Sequence, residues 1–142
     1  MHKLLVSFAV KRGIFTILVT ENGMLKKRVT EKFKDKSIAD STHRSTIHAF
    51  IMALRTVKNV MASESGDYSI CFETSNSIFV KWVDNQYAKD GYVEEFNEAL
   101  NLLHELPILY NFTYNTKPMA VRYCGESYIT KVAVSGLDSL EG

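Results

Sequence analysis

Side chains with the chemistry of a catalyst are sparse in this 142-residue chain. His43, His48 and His104 could each move a proton, yet no serine, histidine and carboxylate stand at spacings that would assemble a nucleophilic triad. A structural histidine is the better reading at each position. His43 opens a predicted helix and is expected at the surface, while His48, two residues before Phe50, is expected at the edge of that helix's buried stripe. Cys71 and Cys124 fall in a predicted strand and a predicted helix, and read as small buried hydrophobes rather than a disulfide or a metal pair. The polar run Thr74-Ser75-Asn76-Ser77 closes a buried strand and is where a site would sit.

Charge is distributed unevenly. Residues 1–60 hold 12 Lys or Arg against 4 Asp or Glu, and residues 61–142 hold 5 against 12, which together give the net +1. A basic face for polyanions is one reading of this asymmetry, and a lysine-guarded strand edge is the other. An apolar content of 46% with 23% charged residues is that of an ordinary globular domain. No run of 18 apolar residues exists, and Lys11-Arg12 interrupts the apolar start, so a membrane partner and a signal peptide are not expected and the expected location is cytoplasmic.

Positioning of any site falls to the stretch 40–76. Ile47, Phe50, Ile51, Leu54, Val57 and Met61 recur at three- and four-residue spacing, which predicts one long helix with an apolar stripe that a sheet must cover. Asp40, Ser41 or Thr42 can cap it. Tyr68, Ile70 and Phe72 then alternate in a buried strand. Before the helix, residues 3–11, 13–21 and 24–33 read as an antiparallel meander with an Asn22-Gly23 turn, a polar edge strand and a surface connection over 34–40.

After the buried strand, residues 78–83 predict a short helix. A second long helix follows Gly91, with Val93, Phe96, Leu100 and Leu103 inward and Glu94, Glu95, Glu98 and Glu105 in water. Pro107 stops it, and residues 108–115 alternate as a half-buried strand. Pro118 opens a last helix that buries Val121, Tyr128 and Val132. Residues 1–134 are expected to form one domain and 135–142 a flexible tail. The predicted order is β-β-β-α-β-α-α-β-α, an α/β fold with a mixed five-stranded sheet and helices on both faces.

Three short motifs arrive in a telling order. Thr42-His43-Arg44-Ser45-Thr46-Ile47 opens a helix that continues Ala53-Leu54-Arg55; Phe72-Glu73-Thr74-Ser75-Asn76-Ser77-Ile78-Phe79-Val80 ends the buried strand; and Lys81-Trp82-Val83-Asp84-Asn85 follows. Together with the element order they resemble the ribonuclease H superfamily over about residues 3–134. That resemblance implies cleavage of the RNA strand of RNA–DNA hybrids by two Mg²⁺ ions, held by carboxylates on the first strand, the first long helix, the end of the fourth strand and the last helix. Two hard cations need several carboxylates as ligands and to offset their combined charge.

This sequence departs from that set. Its first acidic residue is Glu21, so Ser7 or Ala9 stands near the first-strand position, and no Asp or Glu lies between Ser41 and Ser63, where Thr46 stands near the helix position. Only Glu73 and Glu126 remain as carboxylates at the implied positions. The reading is therefore a degenerate ribonuclease H-like module that holds no metal ion or other cofactor and does not hydrolyse its ligand. Lys11, Arg12, Thr42, His43, Arg44, Ser75 and Asn76 would gather on the implied active-site side to bind RNA or an RNA–DNA hybrid. A protein–protein adaptor or inhibitor using Tyr87, Tyr92, Tyr110, Phe112 and Tyr114 is the alternative, and a residual metal-dependent nuclease the third. A continuous positive surface through Lys11, Arg12 and Arg44 favours the binder; intrusion of Glu73, Glu126 or the acidic 94–98 face favours the adaptor.

Overall fold

A computed structural model of the protein describes residues 1–120. Three strands open the chain, β1 (His2–Lys11), β2 (Ile14–Glu21) and β3 (Met24–Lys32), joined by two-residue turns. Such turns need left-handed backbone at both positions for their twist to match an antiparallel hairpin. Asn22 and Gly23 supply it at φ 53° and 80°, as the Asn-Gly signal predicts, and Arg12 and Gly13 adopt it at 54° and 77°.

The connection after β3 is more ordered than predicted. Asp35 accepts hydrogen bonds from the Ser37 N–H and hydroxyl at 2.9 and 2.7 Å, and this cap starts a one-turn helix, α1 (Lys36–Ala39). The long helix α2 (Thr42–Ser63) follows, capped by the Ser41 hydroxyl, which accepts the Arg44 N–H at 3.2 Å. Beyond it come β4 (Tyr68–Thr74), α3 (Ser77–Asn85), α4 (Val93–Glu105) and β5 (Ile108–Tyr114).

The sheet is mixed and five-stranded, in the order β3-β2-β1-β4-β5, with β1, β2 and β3 antiparallel and β4 and β5 parallel to β1. One sheet face and helices α2, α3 and α4 share a single core. At its centre the Phe50 ring lies 5.5 Å from Phe8, 5.2 Å from Phe72, 5.4 Å from Phe79 and 5.3 Å from Phe112, centroid to centroid. Ser7 and Ala9 point to the opposite face and are also buried, with Ala9 against Ala120. The body of the last predicted helix, with Val121, Cys124, Glu126, Tyr128 and Val132, and the 134/135 boundary lie outside the described residues. No described helix is long and apolar enough to cross a membrane.

Four expectations are corrected. Cys71 is partly exposed, because the period of two that buries Ile70 and Phe72 turns it to the other face, 3.5 Å from the Thr113 hydroxyl. Val93 is 37% exposed, and Ala99 completes the inward stripe of α4 in its place. His43 and Glu95, both expected in water, are half-buried against partners described below.

The end of the sheet away from the β1–β2 turn is closed by an ionic clasp. His2 Nδ1 is 2.9 Å from Glu21 Oε2 and its Nε2 is 3.0 Å from the Ser65 carbonyl oxygen, while Lys26 Nζ bridges Glu64 at 2.7 Å and Glu21 at 3.3 Å. Acceptors at both ring nitrogens select the imidazolium, which alone can donate twice. The hydrogen bond to Glu21, then that to Ser65, raises the His2 pKa, and the same bond from His2 lowers that of Glu21.

Replacing Ile51 or Leu54 by Ala is expected to destabilise the domain by about 2 to 5 kcal/mol, since both are buried in the α2 stripe. A loss below about 1 kcal/mol in chemical denaturation would contradict that packing. The clasp makes stability depend on pH in a definite direction. Because the folded His2 pKa is raised, its contribution is complete below the unfolded value of about 6.5 and disappears as pH rises through the folded one. The denaturation midpoint should fall between about pH 6 and pH 9, and the fall should shrink in His2→Gln; equal falls in the two proteins would remove His2 as the cause.

Candidate functional site

Because β1, β4 and β5 run parallel, their carboxyl ends meet at one edge of the sheet. The β1–β2 turn, the exit of β3 and the starts of α2 and α3 lie at that same edge. Open α/β sheets place ligands there, since helix starts and loops converge without a strand to fill the space.

Asn76 is the junction. Its side-chain oxygen caps α3 by accepting the Phe79 N–H at 3.0 Å, which turns its amide NH₂ toward Thr46 Oγ1 at 3.1 Å and His43 Nδ1 at 3.2 Å. Since the NH₂ donates, His43 Nδ1 must accept, and the ring proton of neutral His43 sits on Nε2. The His43 ring packs 5.3 Å from Trp82 and 5.9 Å from Tyr92, which is why it is not surface-exposed as predicted. The result is a small cluster in which the amide is satisfied internally and the His43 Nε2–H is turned away from it, beside the rings of Trp82 and Tyr92.

Arg44 is held away from that cluster. Its Nε donates to Glu95 Oε1 at 2.7 Å, its NH2 group donates to the Gly91 carbonyl at 3.0 Å, and its guanidinium lies 5.2 Å from the Tyr92 ring centre. The other Glu95 oxygen is 2.6 Å from His48 Nε2. Burial pushes the Glu95 carboxyl up, but hydrogen bonds from Arg44 and His48 outweigh it and leave the group below its ordinary value. The hydrogen bond to Glu95 in turn raises Arg44. Part of the acidic 94–98 face thus reaches the start of α2.

The positions implied for metal ligands are occupied by internal hydrogen bonds. Ser7, which pairs in register with Glu73, is fully buried and accepts the Ala120 N–H at 2.9 Å. Thr46 is buried, donates to the Thr42 carbonyl at 2.8 Å and meets Asn76. Glu73 is half-buried, with Asn115 Nδ2 at 2.9 Å on one oxygen and the Met119 N–H at 3.0 Å on the other. A pair of divalent ions does not fit this donor set: two hydroxyls are neutral ligands already in use, and the one described carboxylate has a partner on each oxygen. Among the described residues, His2, Glu21 and Glu64 do come within metal-binding distance of one another, but at the far end of the sheet with Lys26 already bridging the carboxylates.

Of the residues picked from sequence, Thr42, His43, Ser75 and Asn76 sit around the α2–α3 junction, Lys11 and Arg12 stand exposed at the hairpin turn, and Arg44 is diverted to Glu95. Lys32, Lys34 and Lys36 stand outside that set. They lie exposed beside Arg12 at the same edge, and their alternate spacing just beyond an edge strand was the available signal.

No protein-family model matches the sequence, and no curated protein matches it. Solved structures do. The RNase H1 of the archaeon Halobacterium salinarum NRC-1 superposes with a TM-score of 0.63 at 13% identity, covering 88% of this chain and 92% of that one. LC11-RNase H1 from compost, in complex with an RNA/DNA hybrid, gives 0.66 at 10% identity over 91% and 99%. The N-terminal RNase H domain of a Mycobacterium tuberculosis protein gives 0.62 at 9% identity over 95% and 99%. With the strand order β3-β2-β1-β4-β5 and the helix placement, these matches show that the chain is a ribonuclease H-like domain in fold.

Proposed function

We propose that this is a non-catalytic ribonuclease H-like module, cytoplasmic, that binds RNA or RNA–DNA hybrid across the carboxyl-end edge of its sheet. The observation that carries the reading is the state of Ser7, Thr46 and Glu73, each engaged in hydrogen bonds within the protein at a position where the fold's chemistry needs a free carboxylate. Glu126 alone cannot hold two hard cations. Binding is supported by the cations of the turn and by the hydroxyls of Thr42 and Ser75, groups suited to phosphate oxygens and sugar hydroxyls, while Asn76, its amide taken up by Thr46 and His43, would serve by holding His43 at the site. The hybrid bound to the structurally similar compost enzyme supports the ligand class.

One observation favours a protein partner instead. The Arg44–Glu95 pair interrupts the positive surface, and β5 is an edge strand without a single charged residue, with Tyr110 38% and Tyr114 48% exposed. In that reading the fold is a scaffold for an adaptor or inhibitor.

The protein is expected not to degrade the RNA strand of a hybrid in Mg²⁺ or Mn²⁺, even at high protein concentration. Metal-dependent cleavage that disappears in Glu73→Gln would replace this reading with that of a nuclease. Binding to a labelled hybrid should weaken with salt, and Glu95→Gln, which frees Arg44, should steepen the log–log salt dependence by about 1. An unchanged slope would mean that Arg44 faces no phosphate, and no salt-sensitive binding in the parent would move the case to a protein partner.

A further inference from the structure

Beside the Asn76 cluster, Arg12, Lys32, Lys34 and Lys36 line a cleft of about 440 Å³ in which Asp40 is the one carboxylate. All four cations are exposed, and none makes an ion pair among the described residues. The neighbouring acid, Asp35, is engaged in capping α1.

The backbone forces these charges together. Lys32 pairs with Ile14 where the hairpin begins, and the Phe33 N–H donates to the Gly13 carbonyl at 2.9 Å. Gly13 also abuts α1, so closely that a Cβ there would come within 3.2 Å of Ala39 Cβ. The turn, the exit of β3 and α1 are therefore held as one unit, which keeps the backbone positions of these cations close together. Arg12 adds a second unfavourable feature. Its φ of 54° is left-handed, at a turn position where Asn, Asp or Gly is the low-cost residue. Crowded cations without partners and an arginine kept where a smaller residue fits better are both accounted for by an anion from outside. The volume is within the range of about 300 to 1,000 Å³ that accommodates more than a lone inorganic ion.

We propose that this cleft is the principal docking surface for the phosphodiester backbone of the bound nucleic acid. The proposal rests on the binding reading above and narrows it, because it moves the main electrostatic contact from the start of α2, where Glu95 neutralises Arg44, to the turn and α1.

Two triple variants test it against a fluorescein-labelled RNA–DNA hybrid between about 50 and 200 mM KCl. Lys32→Gln/Lys34→Gln/Lys36→Gln should bind at least about tenfold more weakly at low salt, with the log–log slope flattened by about 2 to 3. Lys3→Gln/Lys27→Gln/Lys58→Gln removes as many exposed charges away from the cleft, and should stay within about threefold of the parent with its slope kept. In the unmodified protein, hybrid should also shield Lys32, Lys34 and Lys36 from acetylation more than Lys3, Lys27 and Lys58. If both variants weaken alike, net charge and not the cleft is responsible, and the proposal fails. It fails too if the cleft variant binds like the parent while His43→Ala/Asn76→Ala loses binding, which would leave the binding function standing with its surface elsewhere. A parent protein with no salt-sensitive binding would sink both.

Discussion

Contact around the Phe50 ring is the constraint on which the rest of the structure depends. One side chain of α2 touches aromatic rings from β1, β4, α3 and β5, so the helix can cross the sheet at only one height. Pairs of this kind are worth about 0.5 to 1.5 kcal/mol each beyond their buried area. Geometry matters more than the sum here. Phe79 is the residue whose N–H Asn76 caps, so fixing the Phe79 ring against Phe50 also fixes Asn76, and through it His43 and Thr46. Hydrophobic packing in the core thereby sets the position of the polar cluster at the edge.

Electrostatics divides the molecule differently. A net charge near zero would suggest a surface with little preference, yet the charges are sorted by location. At one end His2 and Lys26 are matched by Glu21 and Glu64, and along α2 Arg44 and His48 share Glu95. Around the β1–β2 turn and α1, by contrast, Arg12, Lys32, Lys34 and Lys36 gather about a cleft lined by one carboxylate, Asp40. What sets this region apart is that its cations line one cleft, whereas Lys3, Lys27 and Lys58 are exposed on separate elements and Arg44 and Lys26 are paired.

Elements with a strong period were legible in the sequence. The apolar stripe of α2, the alternation of β4, the Asn-Gly turn and the stop at Pro107 each express a local rule, and the sheet follows once they are ordered. Features decided by distant partners were not. Glu95 reads as a water-facing helix residue because nothing within α4 announces Arg44, 51 positions earlier, and His43 reads as exposed because its Trp82 and Tyr92 neighbours come from another part of the chain. The α1 turn was missed for a smaller reason: it depends on a single aspartate cap over four residues, too short for any periodic signal.

The hydrogen bond from the Ala120 N–H to Ser7 has an evolutionary consequence. A buried hydroxyl that accepts a backbone donor has become part of how the chain crosses the sheet, and Thr46 and Glu73 have comparable attachments. Placing an aspartate at Ser7 would bury a charge before any cation could balance it, so that change is destabilising on its own. The same holds at Thr46. Changes that add acids at these two positions one at a time therefore run downhill in stability, and the internal hydrogen bonds act as a ratchet that holds Ser7 and Thr46 as they are.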